Sequence, residues 1–259
     1  MMPIALTIAG SDPSGGAGSQ ADQKTFHQFG VYGMSVITLL TVQNTCKVSA
    51  VETVAPQLLL DQLEAVLEDL PPQAAKTGAL GSREIIRAVA ARAAQFSFPL
   101  VVDPVMISKH GAALIAEDAR EALRLLLLPQ AFLVTPNLHE AAALAAMEVA
   151  DERSMEEAAR RIAALGCQAV LVKGGHLSGD AADILFHKGR VERFTARRIS
   201  SRHTHGTGCT YSAAITAGLA KGQELTEAIG AAKRYITNAI ATAPGLGHGC
   251  GPVNHRAES

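Results

Sequence analysis

The chain has 259 residues, a formal net charge of −1 and 18 % charged residues. This balance argues against a nucleic-acid or anionic-membrane partner, and with no Trp and 4 % aromatic residues a stacking platform for single strands is excluded as well. A hydrophobic fraction of 48 % excludes a disordered chain, and no apolar run reaches membrane-spanning length. The amino terminus lacks a signal-peptide pattern and the four cysteines lack metal-site spacing, so we expect a cytoplasmic protein with reduced thiols.

The first half of the chain alternates short apolar runs with helical patterns. Strands are predicted over residues 4–8, 35–42, 74–77 and 100–102. A glycine-rich loop, residues 10–18, follows the first strand and precedes a helix. Pro56 opens a further helix that Pro71 and Pro72 stop, and Ser82 is expected to cap the helix that runs to Ala93.

The second half continues the same alternation. Strands are predicted over residues 131–134 and 169–172, and a hairpin over 183–187 and 191–195. Helices are predicted over residues 119–128, from Ser154 to near Gly166, over 209–221 and over 225–243; Ser154 and Glu157 have the spacing of a capping box. This order predicts one α/β domain, residues 1–259, with a mostly parallel sheet and helices on both faces.

Polar residues gather where the predicted strands end. They are Asp12, Gln43, Lys76, Asp103, Asn137 and Lys173. Open α/β sheets bind ligands outside the carboxyl ends of their strands, so residues far apart in sequence are expected to face one cleft.

The segment from His205 to Thr210 combines three chemical features. Gly206 and Gly208 let backbone amides approach an anion, and Thr207 between them adds a hydroxyl. Cys209 opens a helix, whose amino end carries partial positive charge and is expected to lower the pKa of a thiol there. The segment therefore predicts an anion cradle beside a base or nucleophile, although a small buried cysteine is the simpler alternative.

Three further groups have both a chemical and a structural reading. Gln43 presents an amide donor and acceptor that suit an amino-substituted heteroaromatic ring, yet it equally suits a strand-end cap. Asn137 and Glu140, one helical turn apart, and the strand-end Asp103 offer oxygen ligands for Mg²⁺, whereas plain N-capping explains the first two as well. Lys173 beside two glycines suits a phosphate or a solvated strand end.

Together these segments resemble one family, hydroxymethylpyrimidine/phosphomethylpyrimidine kinase, which belongs to the ribokinase-like superfamily with its three-layer fold. The resemblance runs nearly end to end. It rests on Ala9-Gly10-Ser11-Asp12 through Gly18, Gln20-Ala21-Asp22, Gln43-Asn44-Thr45, Lys76-Thr77-Gly78, Val102-Asp103-Pro104-Val105-Met106, Thr135-Pro136-Asn137 with Glu140, Lys173-Gly174-Gly175-His176, His205 through Thr210 and Gly251-Pro252-Val253-Asn254-His255.

The resemblance implies a cytoplasmic homodimer that uses ATP and Mg²⁺ in thiamine biosynthesis. Its two steps phosphorylate 4-amino-5-hydroxymethyl-2-methylpyrimidine and then the monophosphate. Gln43 matches the residue that reads the pyrimidine edge. Other positions matched to the substrate site are Gly10, Ala17, Asp22, Val105 and the segment 78–80 with Ala79.

The resemblance also assigns the phosphate chemistry. Asn137 and Glu140 match a motif linked to Mg²⁺ and phosphate, and Asp103 and Lys173 match positions near the ATP phosphates. The residues matched to the anion hole and the catalytic position are Gly206, Thr207, Gly208 and Cys209, with Thr207 also facing ATP. Many sugar kinases of the superfamily carry Asp at the last position, so here either a thiolate accepts the proton or deprotonation is not rate-limiting. His205 is expected only to shape the loop.

Other functions are weighed against this one. Pyridoxal kinase shares the fold, but some relatives with that activity carry a second Cys at the position of Ser108, so Ser108 argues against pyridoxal kinase activity here. Many relatives have Met at the position of Ala79, and the smaller Ala79 is expected to widen the ring pocket. A ligand sensor without turnover is a rival from another class. A dehydrogenase is the weakest alternative because the dinucleotide fingerprint is missing. Residues 106–113 are a candidate lid.

Overall fold

The computed structural model describes residues 2–106, 115, 117–175 and 179–258. Within them one nine-stranded sheet has the order β3-β2-β1-β4-β5-β6-β7-β8-β9. Its strands are β1 (Ile4–Ser11), β2 (Tyr32–Gln43), β3 (Val48–Thr53), β4 (Ala74–Thr77), β5 (Leu100–Val102), β6 (Leu133–Val134), β7 (Ala169–Lys173), β8 (Ala181–His187) and β9 (Arg190–Ala196). The six strands from β2 through β7 in this order pair in parallel, while β3 at one edge and β8 with β9 at the other pair antiparallel.

Helices cover both faces of the sheet. They are α1 (Gly18–Gln28), α2 (Pro56–Asp69), α3 (Arg83–Ala93), α4 (Glu117–Ala122), α5 (Leu138–Ala145), α6 (Glu152–Ala163), α7 (Thr207–Ala220) and α8 (Leu225–Ala241). One apolar core lies between the sheet and α2 to α6, and a second lies between the sheet and α1, α7 and α8. The prediction of an α/β fold with three layers is confirmed. No helix among the described residues is long and apolar enough to cross a membrane.

Most predicted elements are present, with three corrections. β3 was not predicted, because its half-exposed residues carry little apolar pattern and pair with β2 only along the sheet edge. The helix predicted over 119–128 is α4 followed by a π-helical turn, Leu123–Leu127, and a 3₁₀ turn, Leu128–Gln130. Pro129 explains the change, since proline has no N–H for a regular helical bond and its ring crowds the preceding turn.

The third correction concerns the start of α6. Asp151, not Ser154, is the N-cap: its carboxylate accepts from the Ser154 amide at 2.7 Å, and the Ser154 hydroxyl accepts from the Asp151 amide at 3.0 Å to complete the capping box. A carboxylate at this position also meets the positive end of the helix. The predicted cap at Ser82 is confirmed, because its hydroxyl accepts from the Ile85 amide at 3.2 Å.

A buried histidine ties the carboxyl-terminal segment to α7 and α8. The His255 Nε2 lies 3.2 Å from the Thr210 hydroxyl, and the Tyr235 hydroxyl donates to the His255 carbonyl at 3.0 Å. Burial, together with the nearby Lys24 and His205, lowers the pKa of His255 to about 4. The native protein therefore holds this imidazole neutral.

Acid is expected to destabilise the protein through this histidine. The unfolded chain protonates His255 near pH 6.5, whereas the folded chain resists protonation down to about pH 4. Stability should therefore fall as the pH drops through this window, by up to roughly 3 kcal/mol from this group. Urea unfolding of wild type and His255→Gln at pH 7 and pH 5 measures it. An equal acid loss in both proteins would contradict the assignment.

Candidate active site

One cleft of about 840 Å³ opens at the carboxyl ends of the parallel strands. Asp12, Gln43, Lys76, Asp103, Asn137 and Lys173 all line it, so the predicted convergence of strand-end residues is confirmed. The site residues named from the sequence lie there too: Gly10, Ala17, Asp22, Ala79, Val105, Glu140, Gly206, Thr207, Gly208 and Cys209. Leu80 is the exception, since it is 3 % exposed and packs in the core below α2 and α3.

The amino end of α7 forms the middle of the cleft. Gly206 is its N-cap with φ of 80°, and a Cβ there would lie 1.8 Å from the Gly16 carbonyl oxygen, so only glycine fits. The helix begins at Thr207, two residues earlier than predicted, and the Thr207 hydroxyl donates to the Thr204 carbonyl at 2.7 Å. First-turn amides have no intrahelical partners, so this end of α7 can donate to an anion.

Cys209 does not have the lowered pKa expected from its place at a helix start. It is half-buried, and burial raises the pKa of its thiol to about 12, with the Asp22 and Asp103 carboxylates adding to the increase. The Lys76 ammonium and the Gly18 amide oppose that shift without cancelling it. The expected lowering of the thiol pKa is therefore wrong, and the thiol is the favoured form of Cys209 at neutral pH.

A buried ion pair lies next to this thiol. The Lys76 Nζ is 2.8 Å from both carboxylate oxygens of Asp22, and the Thr7 hydroxyl donates to the same carboxylate at 2.6 Å. Both charged side chains are 0 % exposed. Burial opposes the charge on Lys76, but attraction to the Asp22 and Asp103 carboxylates outweighs it and raises its pKa, so the ammonium is retained.

A second ion pair faces the start of α7. The Lys173 Nζ lies 2.9 Å from Asp103 Oδ1, and the Thr135 hydroxyl donates to the same oxygen at 3.1 Å. Burial favours protonation of Asp103, yet Lys173 and Lys76 hold the pKa of that carboxyl below its usual range. A Cβ on Gly208 would lie 3.4 Å from the Lys173 ammonium, so this cation lies beside the first turn of α7 and could bind the same anion as its amides.

Asn137 and Glu140 form a reciprocal capping box at the start of α5. The Asn137 side chain accepts from the Glu140 amide at 3.0 Å, and Glu140 accepts from the Asn137 amide at 2.8 Å. The capping reading is therefore confirmed. Burial raises the pKa of Glu140, Lys173 opposes this rise and Asp103 adds to it, and together they bring the pKa to about 7. The carboxylate lines the same cleft, so capping leaves it available to a ligand.

Asp12 organises the glycine-rich loop at the other end of the cleft. Its carboxylate accepts from the Gly16 and Ala17 amides at 3.1 and 2.8 Å and lies 2.8 Å from the His205 Nε2. Burial alone raises the pKa of Asp12, but hydrogen bonds from His205 and Gln43 outweigh it and leave the pKa well below its usual range. His205 thus joins two loops, which agrees with the loop-shaping role expected of it.

The residues matched to the ring site surround this same end. Gln43 ends β2 half-buried, and Gly10, Ala17, Ala79 and Val105 contribute small or apolar surface beside it. The amide of Gln43 lies where it can reach both Asp12 and the cleft.

A polar cluster at the opposite end of the cleft was not predicted from the sequence. The Asp183 Oδ2 accepts from the Lys233 ammonium at 2.6 Å and from the Tyr211 hydroxyl at 3.0 Å, and all three residues line the cleft. They come from β8, α8 and α7, and none of them follows a parallel strand. No local motif connects them, so only the packing of the helices on the sheet brings them together.

Part of two predictions falls outside the described residues. These are residues 107–113 of the candidate lid, with Ser108, and His176 after Lys173. Met106, at the start of that segment, is 4 % exposed and lines the cleft.

Comparisons with known proteins identify the family. A family model described as phosphomethylpyrimidine kinase matches residues 12–254. The hydroxymethylpyrimidine/phosphomethylpyrimidine kinase of Rhizobium meliloti is 51 % identical over 98 % of this chain and 97 % of that protein. The thiamine biosynthesis bifunctional protein ThiED of Geobacter sulfurreducens is 53 % identical over 96 % of this chain, which spans about half, 51 %, of that longer protein.

Solved structures agree with this family. The phosphomethylpyrimidine kinase of Clostridium difficile is 46 % identical with a TM-score of 0.82, covering 92 % of this chain and 99 % of that one. The ADP complex of Bacillus subtilis pyridoxal kinase is 40 % identical with a TM-score of 0.91, covering 99 % and 98 %. The chain therefore belongs to the hydroxymethylpyrimidine/phosphomethylpyrimidine kinase family, has the ribokinase-like fold and is a phosphotransferase of thiamine biosynthesis.

Proposed function

We propose that this cleft carries both ATP-dependent phosphorylations, first of the hydroxymethyl group of 4-amino-5-hydroxymethyl-2-methylpyrimidine and then of the monophosphate. The supporting observation is the meeting of the α7 amino end with the Lys173–Asp103 pair, midway along a cleft that ends at Gln43. In-line transfer needs an acceptor on one side of the phosphoryl group and a leaving nucleotide on the other. The two ends of this cleft supply that arrangement.

The ring end is assigned to the pyrimidine. Gln43 can donate to a ring nitrogen and accept from the exocyclic amino group with one amide. Gly10, Ala17, Ala79 and Val105 offer the small and apolar walls that a flat ring needs. The Asp22 carboxylate accepts hydrogen bonds from Lys76 and Thr7, so we do not assign it a direct contact with the substrate. We propose that it stabilises the buried residues beneath the ring site.

The middle of the cleft is assigned to the phosphoryl group in transit. Amides at Gly206, Gly208 and Cys209 and the Lys173 ammonium supply donors and positive charge where phosphoryl charge would spread, while the Thr207 hydroxyl holds the Thr204 carbonyl. The nucleoside of ATP then lies beyond the phosphates, towards β8 and α8. The bound ADP in the related Bacillus subtilis structure supports a nucleotide in this fold.

The residues also fit a Mg²⁺ ion that ATP would bring. No group of three His, Cys, Asp or Glu that could cage a metal exists among the described residues. Mg²⁺ is commonly held by one or two carboxylates together with substrate phosphates, and Glu140, Asp103 and the Asn137 amide supply such oxygen donors. The ion would neutralise phosphate charge, while Lys173 and the α7 amides hold the transferring group.

The direct test is turnover by the purified protein. We expect ADP release and diphosphate formation from the pyrimidine alcohol with ATP and Mg²⁺, followed by ³¹P NMR, and no product once EDTA removes the metal. Absence of product under these conditions would overturn the proposal. Pyridoxal is the comparison substrate, because a pyridoxal kinase shares the fold at a TM-score of 0.91. A higher kcat/KM on pyridoxal would favour that second function.

Gln43→Ala is expected to weaken pyrimidine binding far more than ATP binding. It removes two hydrogen bonds to the ring, which raises KM for the pyrimidine by about 10-fold or more, while KM for ATP stays within about two-fold. Initial-rate kinetics with each substrate varied in turn measure both. Equal rises in the two constants would contradict the assignment. Thr41→Ala, on the same strand and cleft wall, is the matched control.

A homodimer is also proposed, as the family resemblance implies. Leu40 and Val42 are 54 % and 62 % exposed on the outer side of β2, and Leu246 is 59 % exposed. Apolar side chains of this exposure favour burial against another chain. Light scattering should give twice the 27.0 kDa chain mass, and Leu40→Asp should halve it. A monomer in the wild type would refute the dimer. The cytoplasm remains the expected location, and the four free cysteines support it.

A further inference from the structure

Arg198 binds two backbone carbonyls at the nucleotide end of the cleft. Its Nε donates to the Gly179 carbonyl at 2.7 Å and its Nη1 to the Gly175 carbonyl at 2.5 Å. Arg198 itself is half-buried, lines the cleft and belongs to the segment that joins β9 to α7. One guanidinium thus connects the segment before the anion cradle to the turn after Lys173.

That turn is held tightly on its other side as well. The Gly174 amide donates to Asp183 at 3.0 Å, and a Cβ on Gly174 would lie 1.9 Å from the Ala182 carbonyl oxygen. The chain after Lys173 therefore lies directly on β8. Asp183 fixes the inner side of this turn, and Arg198 fixes its outer carbonyl at Gly175.

We propose that Arg198 is a positioning residue for the nucleotide, a role that rests on the proposed kinase function. A carbonyl oxygen carries partial negative charge, so an unbound Gly175 or Gly179 carbonyl facing the cleft would repel phosphate oxygens. The planar guanidinium presents donors at fixed spacing, which suits two carbonyls better than a single ammonium does. By binding both, Arg198 keeps them away from the phosphates and keeps the wall next to Lys173 in place.

One donor of the same side chain remains available. The Arg198 Nη2 is buried and has no hydrogen-bond partner in the part of the chain that the structure describes. A buried donor without a partner is costly, and an oxygen of a bound nucleotide on this wall would satisfy it. Arg198 can therefore bind the nucleotide through Nη2 while its other donors hold the Gly175 and Gly179 carbonyls.

The test is ADP binding by calorimetry, without any pyrimidine, for wild type, Arg198→Met and Arg198→Lys. Arg193→Met is the matched control, because Arg193 is an arginine of β9 paired with Glu152 on the surface. We expect Arg198→Met to weaken ADP by about 10-fold, as the loss of charge-assisted hydrogen bonds predicts. Arg198→Lys should fall between it and wild type, and Arg193→Met should match wild type.

Pyrimidine binding and the unfolding temperature complete the test. Both should stay close to wild type in Arg198→Lys, and the KM change in Arg198→Met should be confined to ATP. ADP affinity of Arg198→Met within two-fold of wild type, or equal weakening of both ligands, would overturn the positioning role. A protein that binds ADP but turns over no pyrimidine would refute the proposed function alone, because the ADP comparison does not depend on the alcohol.

Discussion

Replacing Cys209 by alanine is expected to lower kcat on the pyrimidine alcohol by about 100-fold, the usual cost when a reacting group loses its orientation. The reason is the state of the thiol: burial raises its pKa to about 12, so it meets the substrate protonated. Phosphoryl transfer relies mainly on positioning and charge stabilisation, so a strong base is not required. We infer that Cys209 orients the attacking hydroxyl as a neutral thiol, and that the hydroxyl proton passes to an oxygen of the transferred phosphoryl group as the bond to ADP breaks.

Three measurements test this role. Stopped-flow or steady-state kcat gives the loss, and calorimetry should show ADP and pyrimidine affinities within about three-fold of wild type, since the amide donors remain. The wild-type kcat should be nearly flat from pH 7 to 9, because Cys209 acts as a thiol and no step requires its thiolate. A tenfold rise per pH unit would instead indicate an obligatory thiolate.

Cys167→Ala is the matched control, because that cysteine is buried near α6, away from the cleft, and should leave kcat unchanged. Full activity of Cys209→Ala would remove Cys209 from the mechanism. Ligand binding with no turnover in the wild type would favour the sensor instead.

Lys76→Met is expected to destabilise the fold by about 3–5 kcal/mol, the usual cost of leaving one member of a buried pair. Asp22 would keep a carboxylate that is 0 % exposed with only the Thr7 hydroxyl as a donor. Burial already raises the pKa of Asp22, and loss of Lys76 should raise it further. Folding then favours the protonated acid, so the variant should lose additional stability above the ordinary pKa of about 4, as the pH rises from 5 to 8.

Urea unfolding at both pH values measures the effect. The double variant Asp22→Asn with Lys76→Met removes both charges and should recover more than half of the loss. Arg193→Met breaks an exposed pair with Glu152 and should cost under about 1 kcal/mol. A Lys76→Met protein as stable as this surface variant would show that the buried pair contributes little.

The sequence predicts most of the fold because its signals are local. Apolar periodicity places the parallel strands, and Pro56 and Ser82 place helix starts that the structure confirms. The misses have local causes as well. β3 has little apolar pattern, and Asp151 competes with Ser154 for the same helix end.

The cleft was predictable for a related reason. Parallel strands end at one edge of a sheet, so a polar residue after each strand must lie near the others. Asp12, Gln43 and Asp103 meet there as expected. The roles given to these residues stay predictions that the experiments above address.

The sequence alone predicts the order of elements, the edge of the sheet where the site lies and the small residues at the start of α7. The raised pKa of Cys209, the pairing of Lys76 with Asp22 and the contact of Arg198 with the turn after Lys173 depend on how the chain packs. The physical reason is that a pKa and an ion pair depend on burial and on charges brought from distant segments. A local sequence pattern shows which residue type is present, but its burial and its charged neighbours depend on the folded chain.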